Sequence, residues 1–148
     1  MLAGDIITLA NTLSVIKINK ITDKGAKEAL LKDYLIVHRI AKMVKADKDE
    51  TIRKFQEDWK DEIDAVDAQR REGKPVTGHD EYLEAEADAI KSINGFDLVE
   101  HTLYDKTPLE FDKVKADLLY NTDLWPDDIS LGQIPGTIDF LIEKGLAE

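Results

Sequence analysis

Residues 23–71 read DKGAKEALLKDYLIVHRIAKMVKADKDETIRKFQEDWKDEIDAVDAQRR, and the apolar spacing inside that stretch decides the fold. It contains no proline, and its only glycine is Gly25. Leu30, Tyr34, Val37, Ala41 and Val44, then Ile52, Phe55, Trp59, Ile63 and Val66, recur every three or four positions. That is the period of a helix with one face buried. At ~1.5 Å of rise per residue the helix would run roughly 70 Å, against ~30 Å for the diameter of a small domain. Such a helix must protrude, bend or find a partner. Thr22 or Asp23 can cap its start, Arg70 and Arg71 suit its last turn, and Gly73 suits its stop. Pairs at i,i+4, such as Glu28–Lys32, Lys45–Asp49, Asp49–Arg53 and Glu50–Lys54, support it in water by a few tenths of a kcal/mol each. The apolar stripe thins between Lys45 and Glu50, so a bend or break is expected there.

Working outward, Ile6, Ile7, Leu9, Ala10 and Leu13 predict a short amphipathic helix over residues 5–15, with Asp5 at its positive end. Residues 16–22 form a connector that tucks isoleucines under the long helix. After the long stretch, Gly73-Lys74-Pro75-Val76-Thr77-Gly78 is a loop that permits a reversal. The next helix covers about His79 to Ile93 and stops at Asn94-Gly95, giving an antiparallel helical hairpin with one long and one shorter arm. Phe96 to Tyr104 has strand character. Two alternatives stand for residues 107–120. Thr107-Pro108-Leu109-Glu110 resembles a capping box that opens a helix, while Asp105-Lys106-Thr107-Pro108 can be the turn of a β-hairpin. A final helix runs from about Pro135 to Lys144, with Gly145 as its stop. The expected class is mainly α, or α+β at most. It is a single domain, with 23–93 as a helical hairpin arm and 1–22 plus 94–148 as a compact base.

Composition narrows the function classes. The chain has 148 residues, no cysteine and a formal net charge of −11. Without cysteine there is no disulfide framework and no thiolate metal site. The overall charge argues against direct binding to nucleic-acid phosphate or anionic membrane. Residues 1–60 carry 12 Lys/Arg against 9 Asp/Glu, and residues 61–148 carry 8 against 22. No apolar run approaches the ~20 residues that span a bilayer, and no secretory signal is evident. The expected location is the cytoplasm, or a virion if the chain is assembled into one.

Catalytic motifs are sparse. No glycine-rich phosphate loop, Gly-x-Ser-x-Gly or cysteine nucleophile occurs. His38, His79 and His101 are scattered and lack the i,i+3 or i,i+4 partner a zinc site needs. Asp80, Glu84 and Asp88 share one stripe of the second helix. They could hold a hard cation such as magnesium, as in a metal-dependent hydrolase, although Glu81-x-x-Glu84 has no second acidic pair at a matching spacing. The expectation is a solvated acidic face with no metal and no cofactor. Phe55, Trp59 and Ile63 sit where the long helix outruns its core, so a protein partner, or a second copy, is expected to dock there. Trp59 can equally pack on Tyr82 or Leu83.

Taken as an order of elements, the chain resembles a group of small helical proteins encoded by phages and prophages, themselves of unknown function. The residues that carry the resemblance are Ile6–Leu13, Ala26-Lys27-Glu28-Ala29-Leu30, Leu109-Glu110-Phe111-Asp112-Lys113-Val114 with Asp117-Leu118, and Ile134 through Ile142. The longer acidic second helix and the Trp125-Pro126 loop depart from it. The resemblance implies a viral or mobile-element origin and supplies no activity. Together these observations suggest a non-enzymatic interaction or assembly protein. The alternative is an acidic mimic of nucleic acid that blocks a host nucleic-acid-binding protein.

Overall fold

Most of the proline-free stretch is one helix. The computed structural model, which describes residues 1–148, places α1 at Ala3–Val15, α2 at Lys24–Asp58, α3 at Lys60–Arg71, α4 at Asp80–Phe96 and α5 at Gln133–Glu143. Two short strands, β1 (Leu103–Tyr104) and β2 (Thr107–Pro108), pair antiparallel with Leu103 opposite Pro108 and Tyr104 opposite Thr107. The protein is therefore mainly helical, with a small β-hairpin and a C-terminal helix. No helix is long and apolar enough to cross a membrane.

The stretch from Lys45 to Glu50, where a break is expected, is continuous helix. Charged pairs give modest support there: Lys48 meets Asp97 at 2.5 Å, and Arg53 pairs with both Glu50 and Glu57. The break comes at Trp59, whose φ of −120° and ψ of 23° leave the helical region. Asp61 and Glu62 follow in the first turn of α3, where carboxylates complement the positive end of a new helix. The acidic run therefore suits a restart better than a continuation.

The chain divides into two compact units, one of Met1–Lys42 with Glu100–Glu148 and one of Met43–Val99. In the first, α1 buries Ala3, Ile6, Leu9, Ala10 and Leu13, and α2 buries Ala26, Leu30, Val37 and Ile40. Helix α5 adds Ile138 and Leu141. Trp125, placed by the sequence in a loop, is 1% exposed, and its indole N–H donates to Leu119 O at 2.7 Å. The connector holds Ile16 and Ile21 inside and bonds Lys17 N to Leu124 O at 2.7 Å.

Residues 107–120 take the hairpin alternative. Asp105 and Lys106 have φ of 49° and 66°, which is the two-residue turn that matches strand twist. Thr107 Oγ1 is bonded to Tyr104 O at 2.7 Å, so it serves the turn instead of capping a helix. Beyond the hairpin, Val114 N donates to Leu146 O and Glu148 N to Val114 O, which ties this segment to the last residues of the chain.

The second unit contains the end of α2, then α3 and α4. Helix α4 runs antiparallel to the end of α2: Tyr82 lies beside Phe55 and Trp59, with ring centroids 5.9 Å away in each case, and Asp97 pairs with Lys48 at 2.5 Å. Asn94-Gly95, the expected stop, is still helical, and α4 ends at Phe96. Burial is sparse in this unit, with only Val44, Val66 and Tyr82 fully inside.

The end of α5 gives a prediction of opposite signs. Gly145 has φ of +87°, and Leu146 N and Gly145 N donate to Leu141 O and Ile142 O, the double bond pattern of a glycine-closed helix end. Gly136 lies inside the same helix, and a Cβ there would meet nothing within 4 Å. Gly145→Ala should destabilise by about 1 kcal/mol and Gly136→Ala should stabilise by about 0.5–1 kcal/mol. Urea unfolding of the two variants checks both signs.

Candidate functional site

Phe55, Trp59 and Ile63, the residues expected to receive a partner, are each half-buried. Phe55 and Trp59 both lie against Tyr82. Tyr82 is 3% exposed, and its hydroxyl donates to Glu86 at 2.8 Å. Arg70 grips the same carboxylate from α3 through two nitrogens, at 2.8 and 3.1 Å. The Arg70 hydrogen bond holds the Glu86 carboxyl below its ordinary range, while burial and the Glu86 contact push the Tyr82 phenol up to about 12. His79, just ahead of α4, contacts Glu62. These aromatics and charges tie three helices together, so this patch has an internal use for its two rings.

The acidic ladder is arranged differently. Asp80, Glu84 and Asp88 all face solvent on α4, and no group of three His, Asp or Glu side chains is close enough to hold a metal ion. The ladder is a solvated carboxylate face.

Sequence reasoning passed over two other features of α2. Leu31 and Leu35 are 47% and 56% exposed. By the helix period they lie opposite the buried stripe. Lys27, His38 and Lys42 flank them, and neither lysine makes a salt bridge within the chain. His38 lies against Tyr34, with ring centroids 5.4 Å apart. The result is an outward face with two adjacent leucines in a basic setting.

The second feature is Asp33. It falls in phase with Ala26, Leu30, Val37 and Ile40, and it is fully buried. Its Oδ1 accepts from Asp112 N at 3.0 Å, and its Oδ2 has no partner. Beside it, Lys32 Nζ meets the Asp112 carboxylate at 3.0 Å. Burial, the largest influence, raises the Asp33 carboxyl to about 7, and the Asp112 charge adds to the rise; the Asp112 backbone bond and Lys32 oppose it. The signal in the sequence was a carboxylate on the apolar phase of a helix. A groove of about 540 Å³ opens near this segment, lined by His101, Thr102, Leu109, Phe111, Lys113 and Lys144.

No protein-family model, curated protein or solved structure matches the chain.

Two predictions follow from these geometries. Between the ordinary carboxylate value of 3.8 and about 7, the folded chain holds a proton on Asp33 that the unfolded chain has released. Stability therefore falls as pH rises through that window, and the full effect of the shift is on the order of 4 kcal/mol. Asp33→Asn should gain stability over wild type progressively from pH 4 to pH 8, read from paired chemical-denaturation curves. In the other unit, Tyr82→Phe keeps the ring contacts and loses the Glu86 bond. It should cost about 1 kcal/mol, whereas Tyr82→Ala should cost about 3–5 kcal/mol by opening a cavity; thermal melts of both variants separate the two contributions.

Proposed function

We propose that this is a non-enzymatic protein-interaction or assembly protein, of phage or prophage origin, that binds protein through its long helix. The observation that carries the reading is the Leu31–Leu35 pair on the outer face of α2, exposed on the longest helix of the chain. Two adjacent exposed leucines are a small apolar anchor, and the unpaired Lys27 and Lys42 beside them favour an acidic partner surface. The acidic residues 61–148 offer such a surface on a second copy, so self-association is the simplest version. The protein would work in the cytoplasm or as part of a virion. Phe55, Trp59 and Ile63 remain an accessory contact through their exposed edges.

A second reading, the acidic mimic of nucleic acid, rests on the outward, unpaired ladder of Asp80, Glu84 and Asp88. It differs from the first in needing a nucleic-acid-binding partner and in losing that partner at high salt.

Light scattering coupled to size-exclusion chromatography tests the self-association version. Wild type should form a complex larger than one chain, and the Leu31→Asp/Leu35→Asp variant should run as a monomer. Measured at concentrations where both proteins are monomeric, its unfolding should stay within about 1 kcal/mol of wild type, because both positions face solvent in the single chain. A wild type that is monomeric at every concentration up to the solubility limit would rule self-association out.

A further inference from the structure

The backbone of residues 110–113 is held to the rest of the chain by very little. On one side, Leu109 N is bonded to Thr102 O at the base of the hairpin; on the other, Val114 N is bonded to Leu146 O. Between these anchors the one main-chain hydrogen bond is Asp112 N to Asp33 Oδ1. The Lys32–Asp112 ion pair adds an exposed contact, worth at most about 1 kcal/mol in solvent. The groove lined by Leu109, Glu110, Phe111 and Lys113 lies along the same segment.

We propose that Glu110–Lys113 is a strap whose seating on α2 is gated by a proton on Asp33: it is closed while the carboxyl is neutral and lifts when the carboxyl ionises. A fully buried carboxylate with one unpartnered oxygen is costly as an anion and cheaper as an acid. The charges acting on it are Lys32 of α2, which favours the anion, and Asp112 of the strap, which opposes it. The nearby Lys144 of α5 and Asp5 of α1 are paired with each other at 3.0 Å. Ionisation therefore sets a buried negative charge directly beside the Asp112 carboxylate. Lifting the strap gives up the Asp112 N–H bond, which favours the anion, but it hydrates Asp33, removing the largest penalty, and separates the two like charges. It also frees Phe111, half-buried when the strap is closed. The raised carboxyl value places this transition near neutral pH.

The test is hydrogen exchange by mass spectrometry from pH 5 to pH 9, corrected for intrinsic exchange and followed on peptides covering 109–114 and, for reference, α5. Wild type should lose protection in 109–114 earlier and by more than in α5 as pH rises, with a midpoint near that of the Asp33 side chain in a 13C carboxyl titration. Asp33→Asn, which keeps an acceptor for Asp112 N and cannot ionise, should hold its protection across the range. Asp112→Asn removes the like charge and retains the backbone donor, so it should move the Asp33 midpoint to lower pH. An Asp33 that titrates in the ordinary carboxylate range would overturn the proposal. So would 109–114 protection that is flat in wild type, or protection lost equally in 109–114 and α5, since the last reports global destabilisation. The wild-type titration and exchange pattern decide the matter even if a variant fails to fold.

Discussion

Helix α2 cannot persist in water on its own propensity, because isolated helices draw most of their stability from burying one face. Its stripe of Ala26, Leu30, Val37, Ile40 and Val44 is what the surrounding elements exist to cover. Each large aliphatic removed from water on that stripe contributes roughly 1.5–3 kcal/mol. In the first unit the cover is thick, with α1, α5, the connector and Trp125 all contributing fully buried side chains. In the second, Val66 and Tyr82 are the only fully buried residues outside α2. The polar network of Arg70, Glu86 and Tyr82 takes a correspondingly larger share there.

This difference explains where the helix stops. Across Lys45–Glu50 the stripe is thin, yet nothing in the backbone chemistry forbids helix, and Lys48 ties the stretch to Asp97. At Trp59 a large ring meets a large ring, and the Tyr82 contact holds it. The chain then resumes with Asp61 and Glu62 at a fresh helix start. Apolar periodicity runs straight through this point from Phe55 to Val66, so a period count alone reports one helix. Tertiary contact overrides the local pattern.

The elements most readable in the sequence were those set by periodicity and glycine. Helix α1, the start of α2, α5 and the Gly145 stop fall within a few residues of their expected bounds. The segment after Thr107 could not be decided locally, because the same threonine can cap a helix or close a turn, and the choice rested on bonds to Thr102 and Tyr104. Trp125 was hidden for a related reason: it sits in a stretch rich in turn residues, and its burial depends on an acceptor at Leu119. Among the candidate site residues, Phe55 and Trp59 fall on one helical face, and Tyr82, one of the two packing partners expected for Trp59, lies against both. Leu31 and Leu35 were passed over, although they are apolar residues off the main stripe. Asp33 was passed over too, although it puts a charge on that stripe.

That last position shows why a less stable choice can be retained. A leucine at residue 33 would bury well beside Leu30 and Val37, but it would leave Asp112 N–H without a partner and the strap without its one internal anchor. The bond is part-buried, so water replaces some of it, and its loss costs at most about 1–3 kcal/mol, set against the hydrophobic gain. Asparagine would satisfy the donor at every pH. Aspartate accepts the bond in either state, but only its ionised form brings the burial penalty and the Asp112 repulsion that favour opening. Placed among aliphatics, with one oxygen bonded and the other bare, the side chain couples strap closure to proton uptake by linkage, with no further moving part.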